Sequence, residues 1–74
     1  MLCYKIDRSL NMARFYKVEV LPTLFGDWMV RREWGRIGGG WRALSETVAT
    51  EEEAQALAGI REAAKLRRGY VAID

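Results

Sequence analysis

The 74-residue chain has no histidine, one cysteine (Cys3) and one proline (Pro22). Without histidine it lacks the commonest general base and a principal zinc ligand. With a single cysteine it can form neither a disulfide framework nor a zinc site of the usual Cys/His kind. No metal or other cofactor is therefore expected. Cys3, among apolar neighbours, reads as a small buried residue of a reducing compartment. No run approaches the ~18 apolar residues that a membrane span needs. The first residues lack the basic-then-apolar pattern of a secretory signal. These absences lead to the expectation of a cytoplasmic protein without a membrane partner. Internal repeats, low-complexity tracts and linkers are also missing, so one domain is the ceiling.

Half of the residues are hydrophobic, with three tryptophans, three tyrosines and two phenylalanines. That suffices for one core, although domains of this size bury only about 60% of their unfolded surface. Twelve Lys/Arg face ten Asp/Glu, and the charges are unevenly placed. Residues 1–42 hold eight basic and four acidic side chains, and residues 43–74 hold four basic and six acidic ones. A basic first segment interleaved with aromatics suits a polyanionic partner, whereas the same charges on their own would form only a solvated surface.

Alternation of apolar and polar residues marks four strands. "LCYKID" (Leu2–Asp7) places Leu2, Tyr4 and Ile6 on one side, and "RSLNMA" follows as a connection. In Arg14–Val20, Tyr16, Val18 and Val20 oppose Lys17 and Glu19; this strand should end near Leu21, because Pro22 cannot donate to a ladder. "PTLFGD" is a turn. In Trp28–Trp34, Trp28, Val30, Arg32 and Trp34 share a face opposite Met29, Arg31 and Glu33. Arg32 and Trp34 beyond two core residues imply a strand running out toward solvent or a ligand. Trp41–Val48 is a weaker fourth strand.

A helix opens after Thr50, where "TEEE" supplies an N-cap with Glu53 three residues on, and three glutamates suit the positive end of the helix dipole. Ala54, Leu57, Ala58, Ile60 and Ala64 form its apolar stripe. Lys65, Arg67 and Arg68 occupy the last turn, and Gly69 is placed as the C′ residue. Gly59, costly inside a helix, is expected to let the helix lie close on the sheet. "YVAID" reads as a tail or a final edge strand. The fold class that follows is α+β, with a small antiparallel sheet of about four strands and one C-terminal helix packed on it.

The stretch "EWGRIGGGW" (Glu33–Trp41) gathers four glycines, two tryptophans and Arg36. It is not a Walker loop, which needs G-x-x-x-x-G-K-[ST] before a helix, nor a dinucleotide fingerprint, which needs G-x-G-x-x-G opening one. Gly38–Gly40 fit a hairpin connection instead. Gly35 lies inside the strand pattern, so either something approaches closely or a bulge re-aims Trp34 and Arg36. A flat ring beside a guanidinium suits nucleic acid, through stacking and phosphate contact. Catalysis is not expected: nucleophilic chemistry lacks its base, and Asp7, Glu19, Asp27 and Glu33 read as solvated strand charges rather than acid–base pairs.

"REWGRIG" (Arg32–Gly38) resembles the signature of the WGR domain family, named for its Trp-Gly-Arg run. "NMARFYKVEV", "PTLFGDW", "ATEEEA" and "KLRRGY" resemble further blocks of small bacterial WGR proteins, in the same order, so that the likeness spans residues 2–70 and leaves 71–74 as a tail or edge strand. The resemblance implies a small antiparallel sheet with one helix. In poly(ADP-ribose) polymerases the domain binds near a DNA break; the motif tryptophan packs on the sugar of the broken end and the arginine links DNA to neighbouring domains. Those roles fall on Trp34 and Arg36. The family setting also points to the Asn11–Lys17 region and to a base near the helix end, Arg67 or its neighbours. These 74 residues carry no zinc finger or catalytic domain, so neither the signalling role of the arginine nor ADP-ribosyl transfer is implied. Arg31 adds a basic group where small bacterial relatives often carry an apolar residue.

The combined expectation is a monomeric, non-catalytic module that binds DNA at ends or nicks. Trp34, Gly35, Arg36, Asn11, Arg14, Lys17, Arg32, Arg42 and Arg67 are its candidate contacts, and Trp41 and Arg42 are neighbours of the motif across the hairpin. The alternative is a protein-interaction module that docks through the same face, since exposed tryptophans are favoured interface anchors.

Overall fold

Period-two patterning over the first 48 residues becomes a four-stranded antiparallel meander in the computed structural model, which describes residues 1–73. Its strands are β1 (Leu2–Asp7), β2 (Met12–Pro22), β3 (Trp28–Arg36) and β4 (Trp41–Val48). A 3₁₀ turn at Arg8–Leu10 joins β1 to β2. The helix α1 (Glu51–Arg67) then packs on one face, against β2, β3 and β4. The two-residue β5 (Val71–Ala72) pairs antiparallel with β1, giving the order β4-β3-β2-β1-β5. The class is α+β as expected, with one strand more than the anticipated four.

Pairing extends β2 and β3 beyond the expected strands. β2 starts at Met12 and runs through Pro22, whose missing N–H is tolerable at the last rung, opposite Trp28. β3 continues through Gly35 to Arg36, and beyond it the Ile37 amide donates to the Ala13 carbonyl at 2.8 Å. The sheet is not bulged at Gly35; it pairs with Phe15 on one side and Trp41 on the other.

Register decides which alternating set is buried. Cys3 pairs with Tyr16, and Tyr16, Val18 and Val30 face the helix with Ala54 and Ala58 to form the buried core. Trp28, Trp34, Val48, Leu57 and Tyr70 pack around it. Because side chains alternate, Leu2, Tyr4 and Ile6 point to the helix-free face, and Cys3 is the inward residue of β1. The small Ala54 and Ala58 bring the helix close to the sheet. Gly59 does not: a Cβ built there meets nothing within 4 Å. Ile60 also turns outward and is 64% exposed. Its neighbour Arg61 takes the inward direction and donates to Glu46 at 2.8 Å.

The helix ends follow their caps. Thr50 Oγ1 accepts from the Glu53 amide at 3.2 Å, and the Glu53 carboxylate reaches back to the Ala49 amide at 3.3 Å, one residue before the position a capping box uses. At the C-terminus the Gly69 amide donates to the Leu66 carbonyl and the Tyr70 amide to the Lys65 carbonyl, at 3.1 and 3.2 Å. This pair of bonds is a Schellman motif, with Gly69 as C′ at φ +91°.

Candidate functional site

The β3–β4 hairpin end carries the Trp-Gly-Arg run. Gly35 lacks a side chain because none fits. A Cβ there would lie 2.5 Å from the Gly40 carbonyl oxygen and 2.8 Å from the Trp41 Cα. The close approach comes from the chain's own fourth strand. Of the three glycines in the connection, Gly38 alone adopts a positive φ, +78°. Gly35 faces one side of the sheet with Trp41, its partner across the ladder, while Trp34 and Arg36 face the helix side.

On the helix side, α1 ends before it covers the last rungs of β2 and β3. The uncovered floor and its walls enclose a concavity of about 560 Å³, which includes Asn11, Arg14, Trp34, Arg36, Lys65 and Tyr70. Each wall has a local cause. Asn11, at φ +50°, closes the 3₁₀ turn that Asp7 caps through the Ser9 amide, at 3.0 Å. The Ser9 hydroxyl also donates to Asp7, and this bond holds the carboxyl below its ordinary pKa. The Schellman motif folds Tyr70 back over Lys65, so the helix end contributes an ammonium and a ring together. Tyr70 meets Tyr16 edge-on, with centroids 6.5 Å apart. Lys65 Nζ sits 4.8 Å from the Tyr16 ring centroid and 5.3 Å from that of Tyr70. Lys5 donates to the Arg68 carbonyl at 2.5 Å and satisfies one of the helix's terminal acceptors.

The charge in this cleft is one-sided. Arg14 and Arg36 are direct partners across the β2–β3 ladder, and both are exposed. Among the described residues, neither they nor Lys65 has a carboxylate within ion-pairing distance. Like charges directly opposite each other weaken a sheet. Burial, with Arg68, Arg32 and Arg14 nearby, pushes the Lys65 ammonium below the usual lysine range. Burial also pushes the Tyr16 hydroxyl up, so Tyr16 stays neutral beneath it. Chemically, the cleft offers cations, aromatic faces and no acid. Among the described residues, no cluster of three or more His, Cys, Asp or Glu could hold a metal.

The structure brings together five of the nine sequence candidates: Asn11, Arg14, Trp34, Gly35 and Arg36. Arg42 is exposed, opposite Trp34 across the β3–β4 ladder, and lines a second, smaller concavity with Trp34, Gly35, Gly40 and Trp41. The other three lie elsewhere. Lys17 is on the helix-free face, bound to Glu19 at 2.5 Å. Arg32 turns inward beneath the helix, 3.7 Å from Glu46, with its guanidinium 5.7 Å from the Trp34 ring centroid. Arg67 is exposed on the last turn, outside the cleft lining. Lys65 and Tyr70 were missing from the sequence candidates, although a signal for them exists. With Gly69 as C′, the Schellman rule places residue 70 against residue 65.

A family model for the WGR domain matches residues 1–74. An uncharacterized protein, y4dW, of Sinorhizobium fredii (strain NBRC 101917 / NGR234) is 39% identical over 66 residues, which make up 89% of this chain and 32% of that protein. The chain thus spans about a third of the length of this relative. No solved structure matches the chain. Among the described residues, no helix is long and apolar enough to cross a membrane.

Proposed function

The chain belongs to the WGR domain family, and from that premise we propose that it is a non-catalytic nucleic-acid-binding module that grips DNA at an end or nick in the cleft beyond the helix. The observation that carries this reading is the Arg14–Arg36 pair. Two arginines face each other across a ladder, with Lys65 at the helix end above them and no acid to offset the repulsion. A phosphate between them turns that repulsion into charge-assisted hydrogen bonds, which arginine makes in a bidentate geometry. Trp34 and Tyr70 supply flat faces for a terminal sugar or base. Asn11 adds an amide at the rim. Arg42, opposite Trp34 on the ladder, and Arg67, on the last turn of the helix, are the candidates for adjoining phosphates; Arg32 acts from below, holding the Trp34 ring.

The test is a labelled linear duplex, a nicked duplex and a covalently closed circle, compared by competition at low salt. Linear and nicked DNA should compete well and the circle poorly. Arg14→Gln should weaken binding while leaving the thermal midpoint unchanged or raising it, because it removes a repulsive pair worth roughly 0.2–1 kcal/mol. A merely structural arginine would show the reverse: a lower midpoint and unaltered binding. No binding of linear, nicked or single-stranded DNA would sink the proposal.

A further inference from the structure

The smaller concavity, of about 350 Å³, adjoins the cleft and shares Trp34 and Gly35 with it. Its remaining lining is Gly40, Trp41 and Arg42. We infer that it receives an unpaired nucleobase, so that the module prefers a duplex end with a short single-stranded extension over a blunt one. The inference rests on the reading of the adjoining cleft as a nucleic-acid site.

Three observations carry it. Trp41 is 58% exposed, and it lies on the helix-free face in the cross-strand row that also holds Gly35, Phe15 and Tyr4. Aromatic faces of this kind stack any base, whatever its sequence. Next, the lining beside Trp41 includes Gly35 and Gly40, which have no side chains, and a Cβ built at Gly40 meets nothing within 4 Å. A planar ring can therefore approach the backbone at Gly40 beside Trp41, whereas the space over Gly35 is filled by Trp41 and the Gly40 carbonyl. Finally, Arg42 stands opposite Trp34 on the ladder, one rung from the Gly35–Trp41 pair, and among the described residues it has no carboxylate partner. It supplies the cation that the phosphate between two stacked nucleotides needs. The two tryptophans sit on adjacent rungs but opposite faces, so a strand that leaves the cleft over Trp34 rounds the sheet end and meets Trp41.

The experiment compares one labelled duplex in three forms: blunt, with a two-nucleotide 3′ extension, and with a two-nucleotide 5′ extension. Wild-type protein should bind at least one extended form roughly fivefold or more tightly than the blunt form, the gain expected from one base–aromatic stack. Trp41→Leu keeps an apolar cover over Gly35 without a stacking face. It should bind the blunt duplex as wild type does and lose the difference between ends, while Trp41→Tyr should keep part of it. Equal affinity for the three forms, or a preference that survives in Trp41→Leu, overturns the inference and leaves the cleft reading intact. Absence of binding to all three overturns both.

Discussion

Gly35 is a space that two neighbours fill. Trp41 Cβ lies 2.9 Å from where a Gly35 side chain would begin, and the Gly40 carbonyl oxygen is closer still. Alanine normally suits a strand better than glycine does, yet here both obstacles include backbone and cannot swing aside. Gly35→Ala should therefore destabilise the fold by about 1–3 kcal/mol, the usual cost of overpacking, read as a lower midpoint in chemical denaturation. An unchanged midpoint would mean that β4 yields freely at Trp41. A glycine between Trp34 and Arg36 stands out in the sequence, but its reason does not. The obstructing atoms belong to residues five and six positions later, and a tertiary pairing brings them there.

At the scale of elements, the C-terminus of α1 does more than stop. Its Schellman bonds place Lys65 and Tyr70 side by side at the cleft, and the ammonium is held below its usual range by burial first and by Arg68, Arg32 and Arg14 after that. A phosphate bound nearby favours the protonated form, so binding takes up a proton once the pH exceeds the free-state value. Affinity for a duplex should then fall as the pH rises through the lowered Lys65 pKa, earlier than an unperturbed lysine allows. Tyr16, beneath it, is pushed the other way and does not titrate in that window. Lys65→Arg, which stays charged, should flatten the profile when affinity is measured at fixed ionic strength. A fall that persists in this variant would place the titrating group elsewhere. The opening of this helix was legible in "TEEE" and its close in Gly69. That Arg61, and not Ile60, faces the sheet was legible only in part: Arg61 continues the Ala54, Leu57, Ala58 spacing, but its partner Glu46 lies on β4, 15 residues away.

At the scale of the molecule, charge is sorted along the helix. The 17-residue helix separates Glu51–Glu53 from Lys65 by about 18–21 Å. Its basic end coincides with the Arg14–Arg36 end of the β2–β3 ladder. The molecule extends 45 × 23 × 17 Å, so one end can meet a polyanion while the acidic end stays distant. Such binding releases counterions, with a log–log salt slope of about −0.9 for each phosphate neutralised. Three cleft cations without acidic partners give an expected slope of roughly −2 to −3, and Arg14→Gln should make it shallower by about one. A slope near zero in a salt titration would remove the electrostatic basis of the cleft. At the far end Leu24 and Phe25 are 98% and 93% exposed on a turn that Thr23 and Asp27 tie together by a hydrogen bond between their side chains.

The sequence by itself determined the element types and their approximate bounds, because alternation, caps and turn glycines act over a few neighbouring residues. It also determined the family, since "REWGRIG" and the flanking blocks are contiguous runs, and it brought Trp34 and Arg36 into focus. Only the tertiary structure decided which alternating set is buried. Cys3 lies inward, and Leu2, Tyr4 and Ile6 lie outward, because pairing with Tyr16 fixes the register. It likewise set Arg32 beneath the helix beside Glu46 and paired Lys17 with Glu19, although both sit in the same basic stretch as Arg14. Charge and aromatic content can be read along a chain. Which of those side chains share a cleft depends on strand register and on where the helix stops, and both are set by contacts between residues distant in sequence.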